Sequence, residues 1–186
     1  MLFLFLVLAS LLLSGIWIFN SLVAKQNDVT NAFGSVDVML RRRYDLIPKL
    51  VDSVKGYMNY ERTILTELTD LRTRLMTTDV SGKERIISED LLTNRVRNIM
   101  VAAENYPELK SNASFLQLQA ACDDAEEQIA ASRRSYNASV REYNNSIQMF
   151  PANLIAKLMN FKSAHFPEIN SEEKVNPMTK SLSQQS

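Results

Sequence analysis

The N-terminal part of the chain is a long run of apolar residues. No charged side chain occurs before Lys25, and only two serines and one glycine interrupt the apolar residues between Leu2 and Phe19. A bilayer core about 30 Å thick needs roughly 20 helical residues, and a helix satisfies its own backbone hydrogen bonds in lipid. The pattern therefore predicts a membrane anchor over residues 1–24. The predicted anchor residues are Leu2, Phe3, Phe5, Leu11, Leu13, Ile16, Trp17 and Phe19.

A cleaved secretory signal is the alternative for the same stretch. Such a signal has a basic N-terminal region, a shorter apolar core and a small-residue cleavage site, and none of these is clear here. The first positive charges, Lys25 and then Arg41 to Arg43, follow the apolar run. The positive-inside rule then places the rest of the chain in the cytoplasm. We therefore expect a single-pass protein of the cytoplasmic membrane.

Helical spacing of apolar residues continues beyond the anchor. Val29, Phe33, Val36 and Leu40 recur at steps of four, three and four, which indicates that the anchor helix runs on. The segment from Asp45 to Pro48 predicts a kink or a restart, because proline removes a helical hydrogen bond and Asp45 can cap a new helix.

The longest apolar seam begins just after Pro48. Its members alternate steps of four and three, which predicts one helix from Pro48 to Met76 whose seam requires neighbouring helices. Glu61 is the polar member, and it is either a carboxylate at the edge of the core or a functional buried acid. The seam comprises Leu50, Val54, Tyr57, Glu61, Ile64, Leu68, Leu71 and Leu75.

A second helix is predicted after a polar loop over residues 77–82. It begins near Lys83 and ends at Tyr106, because Pro107 disfavours helix in the residue before it. Its apolar side carries Leu92, Val96, Ile99 and Ala103.

A third helix follows, capped by Asn112 or Ser114. Two successive steps of four around Tyr136 form a stutter in its apolar line. Phe150 and Pro151 interrupt the pattern, and Pro151 suits the first turn of a short fourth helix over 152–161. The apolar line comprises Phe115, Leu118, Cys122, Ala125, Ile129, Ser132, Tyr136, Val140, Tyr143 and Ile147.

These patterns predict an all-α protein, with an N-terminal transmembrane helix followed by an elongated antiparallel helical bundle. The predicted parts are the anchor over 1–24, the bundle over 25–166 and a polar C-terminal tail over 167–186. The composition agrees, because 4 glycines and 5 prolines are few for a protein rich in sheet turns.

Charge and reactive side chains argue against several functions. The 21 basic residues equal the 21 acidic ones, so no net positive charge attracts a nucleic acid, and we expect no such partner. Cys122 and His165 are the single cysteine and histidine, too few for an ordinary zinc site. We expect no catalytic residue, no cofactor and no metal. A carboxylate cluster lacks the Glu-x-x-His partners of di-metal bundles: Asp123, Asp124, Glu126 and Glu127.

Other polar residues suggest contacts rather than chemistry. Arg41 to Arg43 with Lys49 form either a ring facing anionic headgroups or an acidic partner, or a solvated face. Polar tips on the third helix could fix its register against neighbours. The candidate helix–helix or partner contacts are Arg43, Asp45, Pro48, Leu50, Val54, Tyr57, Glu61, Leu68, Glu127, Arg134, Tyr136, Asn137, Tyr143, Asn144, Phe150 and Pro151.

Two blocks of this sequence resemble the LemA family. The first contains RRYDLIPKLV at 42–51 and VKGY at 54–57; the second contains YPELK at 106–110, YN at 136–137 and 143–144, and FP at 150–151. The resemblance extends from Leu22 to Phe166. The chain departs from the family at Asn160, where the family usually has glycine, and in its longer polar tail.

The resemblance implies a bacterial protein with a membrane helix, a long antiparallel bundle and no established enzymatic activity. A magnetosome-associated protein is in the same family, and relatives are linked to membrane metalloproteases of the heat-shock class. We therefore expect a non-catalytic scaffold in the bacterial inner membrane that contacts the lipid bilayer and self-associates. The alternative is an adaptor or regulatory subunit of a membrane metalloprotease.

Overall fold

The computed structural model describes residues 1–58, 62–77 and 82–164, with side chains in the last range from Glu84 onward. In these ranges the protein is all-α, as the apolar spacing predicts, and it contains no strand. Its helices are α1 (Leu2–Val54), α2 (Arg62–Thr77), α3 (Gly82–Ala103), α4 (Pro107–Lys110), α5 (Ala113–Gln148) and α6 (Ala152–Leu158).

Helix α1 is 53 residues long, about 80 Å at the usual rise per residue. The predicted restart between Asp45 and Pro48 is wrong, because Pro48 lies inside a continuous helix. Proline has no N–H to donate to the carbonyl of Tyr44, four residues earlier. The side chain of Arg72 supplies that bond instead, with its Nε 2.8 Å from the Tyr44 oxygen.

The prediction of one helix from Pro48 to Met76 is also wrong. Helix α1 ends at Val54, whose carbonyl accepts hydrogen bonds from the backbone N–H groups of Tyr57 and Met58 at 3.0 and 2.9 Å. Helix α2 then returns along α1, because Arg72, ten residues after the start of α2, contacts Tyr44, ten residues before the end of α1. The two halves of the heptad seam therefore face each other within one hairpin, which buries Leu50, Val54, Leu68 and Leu75.

Helix α5 occupies the range expected for the third helix, whereas α3 ends at Ala103, three residues before the predicted end of the second helix at Tyr106. Asn112 caps α5, because its Oδ1 accepts from the backbone N–H groups of Ser114 at 2.9 Å and Phe115 at 3.2 Å. Helix α5 runs antiparallel to α1. Three contacts fix this direction: Arg42 with Asp124, Phe33 with Tyr136, and Lys25 with Glu142.

Two separate apolar clusters hold these helices together. The distal core joins α1, α2, α3, α4 and α5, and it includes Tyr44, Leu50, Leu68, Leu92 and Phe115. The proximal core lies nearer the anchor and joins α1, α5 and α6 through Leu22, Tyr143, Ile147 and Ala156. The elongated bundle is therefore packed at both ends by different sets of helices.

Helix α6 ends at Leu158, three residues before the predicted end at Phe161. Asn160 has φ of 57°, the left-handed conformation. The N–H of Phe161 donates to the Ala156 carbonyl at 2.9 Å and that of Asn160 to the Lys157 carbonyl at 3.3 Å, which is the Schellman arrangement. The helix therefore stops with its last carbonyls satisfied.

The first part of α1 extends beyond the bundle. By length and composition it could span a membrane, and none of its most apolar 18-residue window is buried in the protein. The predicted anchor residues Leu2 to Trp17 are exposed, whereas Phe19 contacts Phe161 with ring centroids 6.0 Å apart. The bundle therefore begins at about Ile18, inside the predicted anchor.

Candidate functional site

A buried charge network joins α1, α3 and α5. Arg43 is 3 % exposed and forms an ion pair with Glu89, which is 2 % exposed. Its Nη1 donates to Glu126 Oε1 at 2.8 Å and to Thr93 Oγ1 at 2.7 Å. Removing two opposite charges from water is expensive unless each remains paired and hydrogen-bonded, so this network requires all three helices in register.

Tyr44 completes the network on the side of α1. Its hydroxyl donates to the Glu89 carboxylate. Burial, followed by the hydrogen bond and the charge of Glu89, raises the pKa of Tyr44 well above its ordinary range. Within the described residues, Arg43 Nε is buried and has no hydrogen-bond partner. Glu89 thus accepts from two neighbouring residues of α1 and fixes the rotation of that helix.

The three consecutive arginines do not form one ring or one solvated face. Arg41 is exposed and donates to Asp37 at 2.9 Å, one turn earlier. Arg42 is exposed and bridges to Asp124 at 2.8 Å and Gln128 at 3.0 Å on α5. Arg43 alone points into the core, because consecutive helical residues project about 100° apart.

Glu89 and Thr93 were not among the predicted contact residues. The sequence does indicate that Glu89 is buried, however, because Glu89 lies three positions before Leu92 in the apolar line of α3. A carboxylate in an apolar helical line requires a cation from another helix. Arg43 is the one arginine of the 41–43 group that falls on the apolar side of α1.

The carboxylate-rich segment of α5 is divided among separate contacts. Asp124 pairs with Arg42, Glu126 pairs with Arg43, and Glu127 is exposed. Within the part of the chain that the structure describes, no group of three or more histidine, cysteine, aspartate or glutamate side chains is arranged to hold a metal ion.

Cys122 is buried in the apolar line of α5. Burial raises the pKa of its thiol to about 11, with smaller contributions from the charges of Asp123 and Glu126. The thiol is therefore protonated at neutral pH, which disfavours nucleophilic or metal-binding chemistry. His165, the other candidate reactive group, lies outside the described residues.

The polar tips near the C-terminal end of α5 hold the segment that follows α6. Tyr143 Oη donates to the Lys162 carbonyl at 2.9 Å. Asn144 donates from Nδ2 to the Ala164 carbonyl and accepts from the Ala164 N–H, both at 2.9 Å. These two predicted contact residues therefore act within the chain and bring residue 164 to the proximal end.

The other predicted contact residues differ in location. Tyr57, Tyr136 and Asn137 are half-buried, and Glu61 lies outside the described residues. The exposed ones are Asp45, Pro48, Glu127, Arg134, Phe150 and Pro151.

We call the segment between the two cores the waist; it is formed by residues 25–35 of α1 and 135–142 of α5, which meet at Phe33 with Tyr136 and at Lys25 with Glu142. A groove of about 330 Å³ opens there, and small side chains form part of its wall. The lining includes the Lys25–Glu142 ion pair and Asp28. The lining residues are Lys25, Asp28, Asn31, Ala32, Ser35, Ser135, Ser139 and Glu142.

Comparison with known proteins finds a matching family profile and several similar proteins. The LemA family profile matches residues 32–180, which extends further toward the C terminus than the sequence resemblance indicated. Protein LemA of Metamycoplasma hominis is 27 % identical over 163 residues, covering 88 % of this chain and 74 % of its own length.

Two magnetosome proteins are more distant relatives. MamQ 1 of Paramagnetospirillum magneticum is 24 % identical, and MamQ of Magnetospirillum gryphiswaldense is 22 % identical. Each match covers 80 % of this chain and 64 % of the relative. The chain therefore spans a little under two thirds of the MamQ proteins. Because the family profile covers most of its length, this chain belongs to the LemA family.

Proposed function

We propose that this protein is a membrane-anchored, non-catalytic scaffold that self-associates, with its bundle on the cytoplasmic face of the bacterial inner membrane. The observation that carries the proposal is the continuity of α1, since one helix provides both the candidate membrane span and a wall of both cores. No loop separates the candidate membrane span from the part of α1 that packs in the two cores. An anchor joined in this way holds the bundle at a defined angle to the bilayer.

The waist supports self-association. In the waist, α1 contacts α5 through Phe33 with Tyr136 and Lys25 with Glu142, and Arg85 of α3 contacts α1 further along, at Asp37. Phe33 is exposed, and the neighbouring groove is lined partly by alanine and serine, which allow close approach of another helix. Anchoring in one membrane raises the local concentration, so modest contacts suffice for assembly.

The test is the mass of the full-length protein in detergent micelles and in nanodiscs. We expect a defined multimer for the wild type and dissociation on Ser135→Trp, which fills the groove. Ala120→Trp is the matched control, because Ala120 is also exposed on α5 but lies outside the groove. A monomeric wild type at high concentration, or equal effects of the two tryptophans, would contradict self-association.

Affinity purification from membranes addresses the alternative function. Recovery of copies of the same chain supports the scaffold. Stoichiometric recovery of a membrane metalloprotease would instead favour the adaptor function.

A further inference from the structure

The proximal end of the bundle carries an apolar patch that the two cores do not use. Phe150 and Leu158 are each 80 % exposed, and three neighbouring side chains are also exposed. Helix α6 buries Ala156 toward α1 and α5, so its opposite side is apolar and uncovered by described residues. Contiguous exposed apolar surface of this kind marks an interaction site. The patch consists of Met149, Phe150, Leu154, Leu158 and Met159.

The position of the patch identifies what could cover it. Phe161, just after α6, contacts Phe19 of α1. Ile18 and Leu22 of α1 pack in the same proximal core as α6. Trp17, one residue further toward the N terminus, belongs to the exposed apolar part of α1. The patch therefore lies near the point at which α1 leaves the bundle, where a bilayer containing the anchor would begin.

The charges near the patch suit a lipid surface. Lys157 and Lys162 are exposed, and no aspartate or glutamate occurs from Met149 to Ala164. Lysine at a membrane interface keeps its apolar stem in the boundary region and its ammonium group among anionic headgroups. An apolar surface flanked by lysines is the pattern of segments that lie in the interface.

We propose that the patch docks on the bilayer that holds α1, inserting Phe150, Leu154 and Leu158 at the boundary between headgroups and acyl chains. The inference rests on the proposed anchoring of α1, and it adds a second lipid contact that is not part of the span. The polar tail and a second copy of the chain are the other occupants that the test must distinguish. The tail suits an apolar surface poorly, because residues 167–186 are mostly serine, glutamine, asparagine and charged side chains.

The test uses tryptophan quenching in the full-length protein. The chain has one tryptophan, Trp17, so the wild type itself reports the anchor. The double variant Trp17→Phe/Phe150→Trp moves the fluorophore to the patch. The matched control, Trp17→Phe/Val101→Trp, places it at an exposed site near the distal end of the bundle, roughly 50 Å from Phe19 along α1.

Each protein is reconstituted into phosphatidylcholine and phosphatidylglycerol vesicles, in which some lipids carry bromine at a shallow acyl position. We expect quenching of Trp17 and of the tryptophan at 150, with the distal control several-fold less quenched. Adding Leu154→Glu and Leu158→Glu to the patch variant should reduce its quenching toward that of the control. Circular dichroism confirms that the helical content is unchanged.

The outcomes separate the two proposals. Failure of wild-type Trp17 quenching would overturn the anchoring and the patch together. Quenching of Trp17 with a patch tryptophan that is open to acrylamide in the aqueous phase would overturn the patch alone. A patch tryptophan shielded from both lipid bromine and acrylamide would mean that the tail or a second copy covers it, and would also overturn the proposal.

Discussion

The Arg72 side chain donates a hydrogen bond from Nε to the backbone carbonyl of Tyr44 at 2.8 Å. That carbonyl is the acceptor that Pro48 leaves without its usual helical donor. A side chain of α2 thus repairs the backbone of α1 and ties the two helices of the hairpin together at that point. A proline inside this 53-residue helix, six residues before its end, is tolerated because a neighbouring helix replaces the missing bond.

We predict that the contributions of Pro48 and Arg72 to stability depend on each other. Arg72→Met should destabilise the protein by about 1–3 kcal/mol, because it leaves the Tyr44 carbonyl without a donor. In a Pro48→Ala background the helix regains its own N–H, so the same substitution should cost much less. Thermal unfolding of the four proteins of this cycle measures the coupling. Additive effects would show that the Arg72 bond does not compensate for the proline.

We predict that removing the charge of Arg43 alone is strongly destabilising. Arg43→Met leaves Glu89 buried without its cation, at a cost of about 3–5 kcal/mol. Arg43→Met with Glu89→Leu should recover much of that loss, because no buried charge remains. The control is Arg41→Met, which changes an exposed side chain and should shift the unfolding free energy by about 0.5 kcal/mol or less. Equal effects at Arg41 and Arg43 would contradict the network.

We predict a decrease of stability in alkali that depends on Cys122. Its folded pKa of about 11 lies above the ordinary value of 9.0. The unfolded thiol therefore releases its proton first, so the thiol contributes stability below pH 9 that is lost as the pH rises toward 11. The unfolding free energy of the wild type should fall across this range relative to Cys122→Ser. Thiolate absorbance near 240 nm checks the folded pKa directly, and ionisation at the ordinary value would refute the prediction.

We predict that position 160 tolerates glycine but not a β-branched residue. Asn160 has φ of 57°, a conformation that glycine adopts without strain and valine adopts poorly. Asn160→Gly should leave stability unchanged or raise it, whereas Asn160→Val should cost about 1–2 kcal/mol. Thermal unfolding compares the two, and equal melting temperatures would contradict a left-handed backbone here.

Apolar spacing predicted the faces of the helices well. Leu50, Leu68, Ile129 and Val140 lie on predicted seams and are buried. Spacing identifies the face that needs cover without identifying the segment that covers it. The seam continues in register through Gly56, so nothing in its period indicated the turn at residues 55–57. The decisive contact is the hairpin packing of α2 on α1, which local periodicity does not encode.

The buried charge network was difficult to predict from the sequence for a related reason. Arg43 and Glu89 are separated by 46 positions along the chain. Considered alone, each side chain is also compatible with a solvent-exposed helix face. Their pairing follows only once α3 lies beside α1. The exposed patch at α6 was similarly hidden, because Leu154 and Leu158 belong to an ordinary apolar pattern until the packing shows that this side of α6 is left uncovered.

Because α1 is one continuous helix, a change in the tilt of the anchor would move the distal end of the bundle. From Phe19 to Val54 the helix measures roughly 52 Å, so a change of about 10° in the tilt of the anchor displaces the distal tip by roughly 9 Å. Tilt responds to the thickness of the hydrocarbon layer. A lipid contact at α6, near the point where α1 leaves the bundle, would restrict this displacement of the distal tip. The local bilayer thickness would then influence the position of residues at the distal end of the bundle, which do not contact lipid.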